Sequence, residues 1–181
     1  MSRFRFAEEN YPYFVTCSIV KWLSVFVSSD TCDVIIKSLE YCRAQRGLRI
    51  HAYVIMPTHL HLIVSAEADI SGVVRDFKKF TAREIIAPYT GTQFPPFENA
   101  FRFCGEDNRP PTAHKVWQDG SHPELIKTEA FFRQKADYIR ANPSRKGLVT
   151  DPLAWRYSSL RFFAGVENGE PEPLAVDFVE W

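Results

Sequence analysis

Apolar positions along this chain fall into short blocks, some dense and β-branched, others recurring every three to four residues. Tyr13 to Val20 (YFVTCSIV), following Pro12, has the β-branched and aromatic content of a strand. From Thr31 to Arg46 the apolar Val34, Ile35, Leu39 and Cys42 recur at helical spacing, and Gly47 stands where a C-cap belongs. Leu48 to Met56 and His59 to Ser65 are strand-like runs joined by a Pro57-Thr58 turn, which predicts a hairpin. Ile70 to Ile86 reads as an amphipathic helix, with Val73, Val74, Phe77 and Phe80 on one side and Arg75, Lys78, Lys79 and Arg83 over the rest. Between Pro88 and Pro111 no period survives, and the Pro, Gly, Asn and Phe content predicts a long loop or insertion. Ala113 to Gln118 is a short strand, followed by a Gly-Ser-His-Pro turn. Thr128 is an N-cap for a helix through Ala141, and Pro143 is expected to end it, because a residue before proline is pushed out of the α region.

The order β-α-β-β-α-β-α predicts an α+β fold, a ferredoxin-like (RRM-like) antiparallel sheet with helices packed on one face. Residues 1–166 would form one domain, with residues 88–111 its loop or insertion and residues 167–181 a C-terminal tail.

Composition fits an ordinary globular domain: 181 residues, 45% hydrophobic and 24% charged, which excludes disordered and collagen-like classes. The four cysteines, Cys17, Cys32, Cys42 and Cys104, are too irregularly spaced for a paired zinc set, and reduced, structural thiols are expected. The N-terminus lacks the apolar core of a signal peptide, and no run approaches the ~20 apolar residues of a membrane span. A cytoplasmic protein with no membrane partner is expected.

Twenty-two Lys and Arg balance twenty-two Asp and Glu, a neutrality that by itself argues for no nucleic-acid partner. The balance is uneven, however. Five acids and no bases lie between Glu167 and Trp181, so residues 1–166 hold all 22 bases against 17 acids. The body is basic and the tail acidic. Such a tail is either a solvated end or a fence that competes with an anionic ligand.

Candidate chemistry starts in the hairpin, at Thr58-His59-Leu60-His61-Leu62. Side chains two apart on a strand share a face about 6.6 Å apart, so two imidazoles can converge on one ion while Leu60 and Leu62 enter the core. As a bare pattern this is weak, since paired strand histidines usually hold nothing. Tyr138 and Asn142, four residues apart, lie on one helical stripe beside Phe132, Ala136 and Ile139. They are either a half-buried tyrosine with an asparagine stop before proline, or two groups addressing one point in space. Two neutral imidazoles and an amide oxygen would suit a divalent cation that polarises a phosphate oxygen. A tyrosine beside it, weak at its free pKa of about 10, could then attack phosphorus and form a phosphotyrosine.

These stretches resemble a known family. Met56-Pro57-Thr58-His59-Leu60-His61-Leu62-Ile63-Val64 is similar to the MPNHVHLLV signature of HUH-type, single-tyrosine transposases of the IS200/IS605 kind. Tyr138 to Val149 (YIRANPSRKGLV) looks like the YIHxNPVRxGLV motif of their REP-associated tyrosine transposase branch. Lys115 to Gln118 (KVWQ) and Trp155 to Ser159 (WRYSS) match two further motifs of that branch, and the resemblance runs over residues 11–165. It implies a ferredoxin-like catalytic domain that cleaves and transfers single-stranded DNA next to a palindromic, REP-type hairpin. It further implies a divalent metal, Mg²⁺ or Mn²⁺, held by His59, His61 and Asn142, and Tyr138 as the nucleophile giving a 5′-phosphotyrosine. A monomer is expected over a homodimer, following that branch. Thr58 replaces the usual Asn before the first histidine, a change expected to touch only the hairpin turn.

Arg75, Lys78, Lys79, Arg83, Lys115, Arg145, Lys146 and Arg156 are the candidate phosphate contacts, against the alternative of a solvated charged face. Trp155 and Tyr157 would either stack bases or pack the core. His51, His114 and His122 have no partner that the sequence names, and His122 before Pro123 is either structural or near the scissile phosphate. Two other functions use the same features: a hairpin-binding repressor without chemistry, and a metal-dependent phosphohydrolase of a small nucleotide.

Overall fold

The strand-like and helix-like blocks up to Ile86 fall where the hydrophobic pattern puts them in a computed structural model of the chain, which describes residues 6, 8–9, 11–89, 100–101, 114–165 and 174–179. Strand β1 (Tyr13–Ser18), helix α1 (Ser29–Arg46), strands β2 (Leu48–Met56) and β3 (His59–Ala66), helix α2 (Ile70–Ile86), strand β4 (Glu124–Leu125), helix α3 (Glu129–Arg145) and a short helix α4 (Leu160–Phe163) follow in that order. The sheet runs β2-β3-β1-β4 with every neighbour antiparallel, the α+β, ferredoxin-like arrangement expected. Local signals are used as the sequence suggests. Ser28 caps the start of α1, and Gly47 takes the left-handed conformation (φ 63°) that ends it.

One part of the expectation is corrected: the helices do not share a face. Strand side chains alternate between faces. Tyr13, Val15 and Cys17 of β1 with Leu60, Leu62 and Val64 of β3 pack under α1 and α2. Phe14 of β1, Ala52, Val54 and Met56 of β2 and Ile63 of β3 form a second apolar layer, and Ala136 and Ile139 of α3 cover it. Both faces of the sheet are apolar, so both must be covered.

Helix α3 also runs past Pro143, which was expected to end it, and stops at Arg145. Pro143 forfeits one backbone donor in the last turn, and burial of Asn142 and Pro143 offsets the strain on the residue before it. The true stop is Gly147 (φ 69°), whose N–H donates to Ser144 O at 2.9 Å while Leu148 N–H donates to Pro143 O at 3.0 Å, a Schellman closure. Phe80 is likewise displaced from the apolar side. It is exposed under the Arg83 guanidinium, and Thr81 takes the buried place, accepting a hydrogen bond from Trp117 Nε1.

No strand forms at residues 114–118, Ala113 lying outside the described residues. That stretch makes only the bridge between Ile19 and Trp117, and the fourth strand is Glu124–Leu125, paired with Phe14 and Tyr13. The 88–111 insertion lies almost wholly outside the described residues.

The C-terminal segment is not a loose acidic end where it is described. Leu174 and Val176 are buried in the core beneath α1. Asp177 accepts from Ile50 N–H at 2.8 Å, donates its own N–H to Ile50 O at 2.7 Å and pairs with Arg43 at 2.7 Å. Further along the same outer edge of β2, Ile55 N–H donates to Tyr157 O and Ser159 N–H to Tyr53 O. Two later segments of the chain thus cover the edge strand that would otherwise offer unpaired backbone groups. No helix among the described residues is long and apolar enough to cross a membrane.

Candidate functional site

His59 and His61 stand on the α3 side of β3, because Leu60 between them and Leu62 after them enter the opposite core. Their ring centroids are 4.7 Å apart at 74°. The Tyr138 ring of α3 lies edge-on to His61 at 5.2 Å, and Phe14 packs against both, 5.3 Å from His61 and 5.9 Å from Tyr138. Asn142 follows one turn later on α3 and is 2% exposed. The four predicted site residues therefore sit on one side of the sheet, and continuation of α3 through Pro143 keeps Tyr138 and Asn142 on one helical stripe.

Each imidazole is oriented by a threonine. His61 Nδ1 pairs with Thr16 Oγ1 at 2.8 Å across the β1–β3 register, and His59 Nδ1 pairs with Thr58 Oγ1 at 2.9 Å. Thr58 therefore does more than shape the turn. With Nδ1–H donating to the hydroxyl, the other ring nitrogen presents its lone pair. His61 is 5% exposed, and its Nε2 and the Asn142 Oδ1 are buried without a hydrogen-bond partner among the described residues. Buried polar atoms are nearly always paired, so these two orphaned acceptors, one on β3 and one on the α3 that covers it, are what a missing ligand would leave.

Both histidines are held neutral, the state a metal ligand requires. Burial, then the charge of Lys146, pushes His59 down to about 4. Burial, then His59, Lys135 and Lys146, pushes His61 down to about 3. The donor set is two imidazoles and an amide oxygen. Among the described residues no group of three His, Cys, Asp or Glu forms a competing site. Such a neutral set fits a divalent cation that leaves coordination positions, and its full charge, to an anionic substrate.

The candidate phosphate contacts divide. Arg145, whose guanidinium lies 5.6 Å from the Tyr138 ring centre, and Lys146, whose charge reaches both histidines, are at the site. Arg75, Lys78, Lys79 and Arg83 ride on α2, the helix on the opposite face of the sheet, and Lys79, Arg83 and Lys115 line a groove there with Trp117. Lys78 is a correction to a surface role: its ammonium donates to the carbonyls of Gln118 (2.8 Å) and Gly120 (2.6 Å), tying down the loop before β4. Arg75 and Arg83 pair with Asp76 and Glu84, and Lys115 pairs with Asp119. Arg156 lies over the Tyr157 ring.

Trp155 and Tyr157 are packing residues: Trp155 Nε1 donates to Ile55 O and Tyr157 hydroxyl bonds Asp33. His51 is structural, held between Asp177 O and Ser65 Oγ. Cys17, Cys32 and Cys42 are buried free thiols, as expected, and burial pushes Cys17 up to about 11.

The sequence did not single out Lys135. It lies three residues before Tyr138 on the same face of α3, with its ammonium 4.3 Å from the Phe14 ring centre and an ion pair to Glu124. Its helical spacing from Tyr138 was the available signal.

No protein-family model matches the sequence, and no curated protein is similar to it. Among solved structures, the chain is similar to a REP-associated tyrosine transposase bound to a REP hairpin, at 19% identity and a TM-score of 0.63, over 99% of this chain and 100% of that one. It is also similar to a protein of Deinococcus radiodurans R1 described as a candidate transposase, at 21% identity and a TM-score of 0.46, over 77% of this chain and 95% of that one. The first likeness shows that the chain has the REP-associated tyrosine transposase fold.

Proposed function

We propose that this protein is a metal-dependent endonuclease and strand transferase for single-stranded DNA flanking a hairpin, with Tyr138 as nucleophile. The observation that carries this is the pair of buried, unpartnered acceptors, His61 Nε2 on the imidazole beside the Tyr138 ring and Asn142 Oδ1 one turn further along α3. The fold of a protein solved with a REP hairpin, and the motifs that hold these residues, support the same substrate.

In this account His59, His61 and Asn142 hold Mg²⁺ or Mn²⁺. When bound, the ion polarises the phosphoryl oxygens of the scissile phosphodiester. The Tyr138 hydroxyl gives up its proton and attacks phosphorus in line. The P–O3′ bond breaks, the leaving 3′ oxygen takes a proton, and the enzyme carries a 5′-phosphotyrosine. A different 3′ hydroxyl reverses the step and completes strand transfer without an external energy source. Arg145 over the Tyr138 ring, with Lys135 and Lys146, supplies positive charge for the phosphate. The protein acts as a monomer, a reading supported by the cover that its own chain provides over the edge of β2.

A labelled hairpin oligonucleotide with single-stranded flanks should be nicked in the presence of Mg²⁺ or Mn²⁺ and spared in EDTA. Asn142→Ala should lose nicking while still binding the hairpin. Cleavage that survives EDTA would reject the metal-dependent mechanism.

A further inference from the structure

Two consecutive residues without the freedom of glycine, Lys21 and Trp22, adopt left-handed backbone conformations (φ 54° and 55°) in the turn after β1. That conformation crowds Cβ against the carbonyl and is avoided by bulky side chains. It persists only where the surroundings impose it, and such strain gathers at binding sites. Here Trp22 N–H donates to Ile19 O at 3.1 Å, and Ile19 N–H is itself anchored on Thr58 O at 2.9 Å, the residue before His59.

The turn does not hide its tryptophan. Trp22 is 58% exposed. The Trp22 ring stands 5.9 Å from the His59 ring at 80°, so one edge touches the candidate site while much of the ring stays open to solvent. Lys21 beside it is exposed as well. A strained turn that presents an uncovered indole next to a phosphodiester site, with a cation at its side, has the parts of a base-stacking platform.

We propose that Trp22 stacks on the nucleobase next to the scissile phosphate, fixing the single strand in the site. This rests on the single-stranded DNA reading of the site and adds to it a substrate-binding residue. Stacking recognises the face of a base, so Trp22 sets the position of the strand and leaves its sequence to other contacts.

Trp22→Gly removes the ring and suits the left-handed backbone, and Trp22→Phe keeps a smaller ring. Both are compared with the wild type for affinity toward a hairpin carrying a single-stranded flank and toward the same hairpin without it. Trp22→Gly should weaken binding of the flanked hairpin by roughly tenfold, the scale of one base–aromatic stack. Trp22→Phe should recover much of that loss, and the hairpin without a flank should bind all three alike. An abasic nucleotide beside the scissile phosphate should cost the wild type a similar factor and Trp22→Gly nothing further.

Equal losses on both hairpins, with a lower melting temperature, would make the ring a packing element and overturn the proposal, as would unchanged affinity for the flanked hairpin. Covalent adduct formation, scored in parallel with the wild type, separates the two claims. No adduct with a flank-specific loss rejects the tyrosine mechanism and keeps the platform; an adduct with no loss does the reverse.

Discussion

His61 shows how one residue can be constrained from several sides. The strand alternation puts it opposite the Leu60 and Leu62 core, the β1–β3 register puts Thr16 against its Nδ1, and α3 buries its free nitrogen. Thr16→Val should release the ring and weaken Mn²⁺ binding by about 10–100-fold, as removal of an orienting hydrogen bond typically does, measured by calorimetric titration. The same burial has a pH signature. His59 and His61 stay neutral in the fold down to about 4 and about 3, and burial also lowers His51, whereas in the unfolded chain they protonate near 6.5. Below pH 6.5 the unfolded state binds the extra protons, so stability should fall as pH drops from 6.5 toward 5, above the carboxylate range. Melting temperatures of the wild type and of His59→Gln/His61→Gln across that window test this, and the double variant should show the shallower slope. Much of this site was legible in advance, because a period of two pairs the histidines and a period of 3.6 pairs Tyr138 with Asn142. Thr16 and Trp22 were not, since they depend on strand register and on a backbone angle, neither of which has a local sequence pattern, whereas the helical spacing of Lys135 from Tyr138 was a signal left unused.

At the scale of elements, the proposed catalytic groups on α3 depend on how that helix begins and ends. Thr128 caps its start by accepting from Phe131 N–H, and Gly147 closes its end in a left-handed conformation. Thr128→Ala should cost about 1 kcal/mol and Gly147→Ala about 1–2 kcal/mol in urea unfolding. Gly147→Ala should also lower nicking activity, because the turn it closes follows directly on Asn142 and Lys146. The start of α3 was readable from Thr128, whereas its end was misread. A proline in the last turn sacrifices little, and the Schellman closure at Gly147 outweighed it. The assignment of helices to faces was also beyond the element order: it follows from a second apolar layer, Phe14, Ala52, Val54, Met56 and Ile63, that strand β-propensity does not distinguish from the first.

For the molecule as a whole, formal neutrality now has a structural meaning. Part of the acidic C-terminal region serves the fold: Asp177 neutralises Arg43 and holds the edge of β2, while Leu174 and Val176 fill the core. Leu174→Ala should cost about 2–5 kcal/mol in denaturant unfolding. Removal of residues 174–181 should uncover the β2 edge and promote self-association in light scattering. The composition reported the charge of this segment, and only the folded chain reveals that it docks. The basic residues are likewise divided between the two faces of the sheet, with Arg145 and Lys146 beside the histidines and the α2 cluster away from them, so total charge was a poor guide to where an anion would bind. The proposed chemistry centres on the Tyr138 hydroxyl. The most direct test is to incubate the protein with a flanked hairpin and Mg²⁺ or Mn²⁺, digest the covalent product and locate the nucleotide by mass spectrometry. A 5′-phosphonucleotide on Tyr138, absent in Tyr138→Phe while hairpin binding persists, is the predicted result. Cleavage with no protein–DNA adduct, or an adduct that survives Tyr138→Phe, would contradict it.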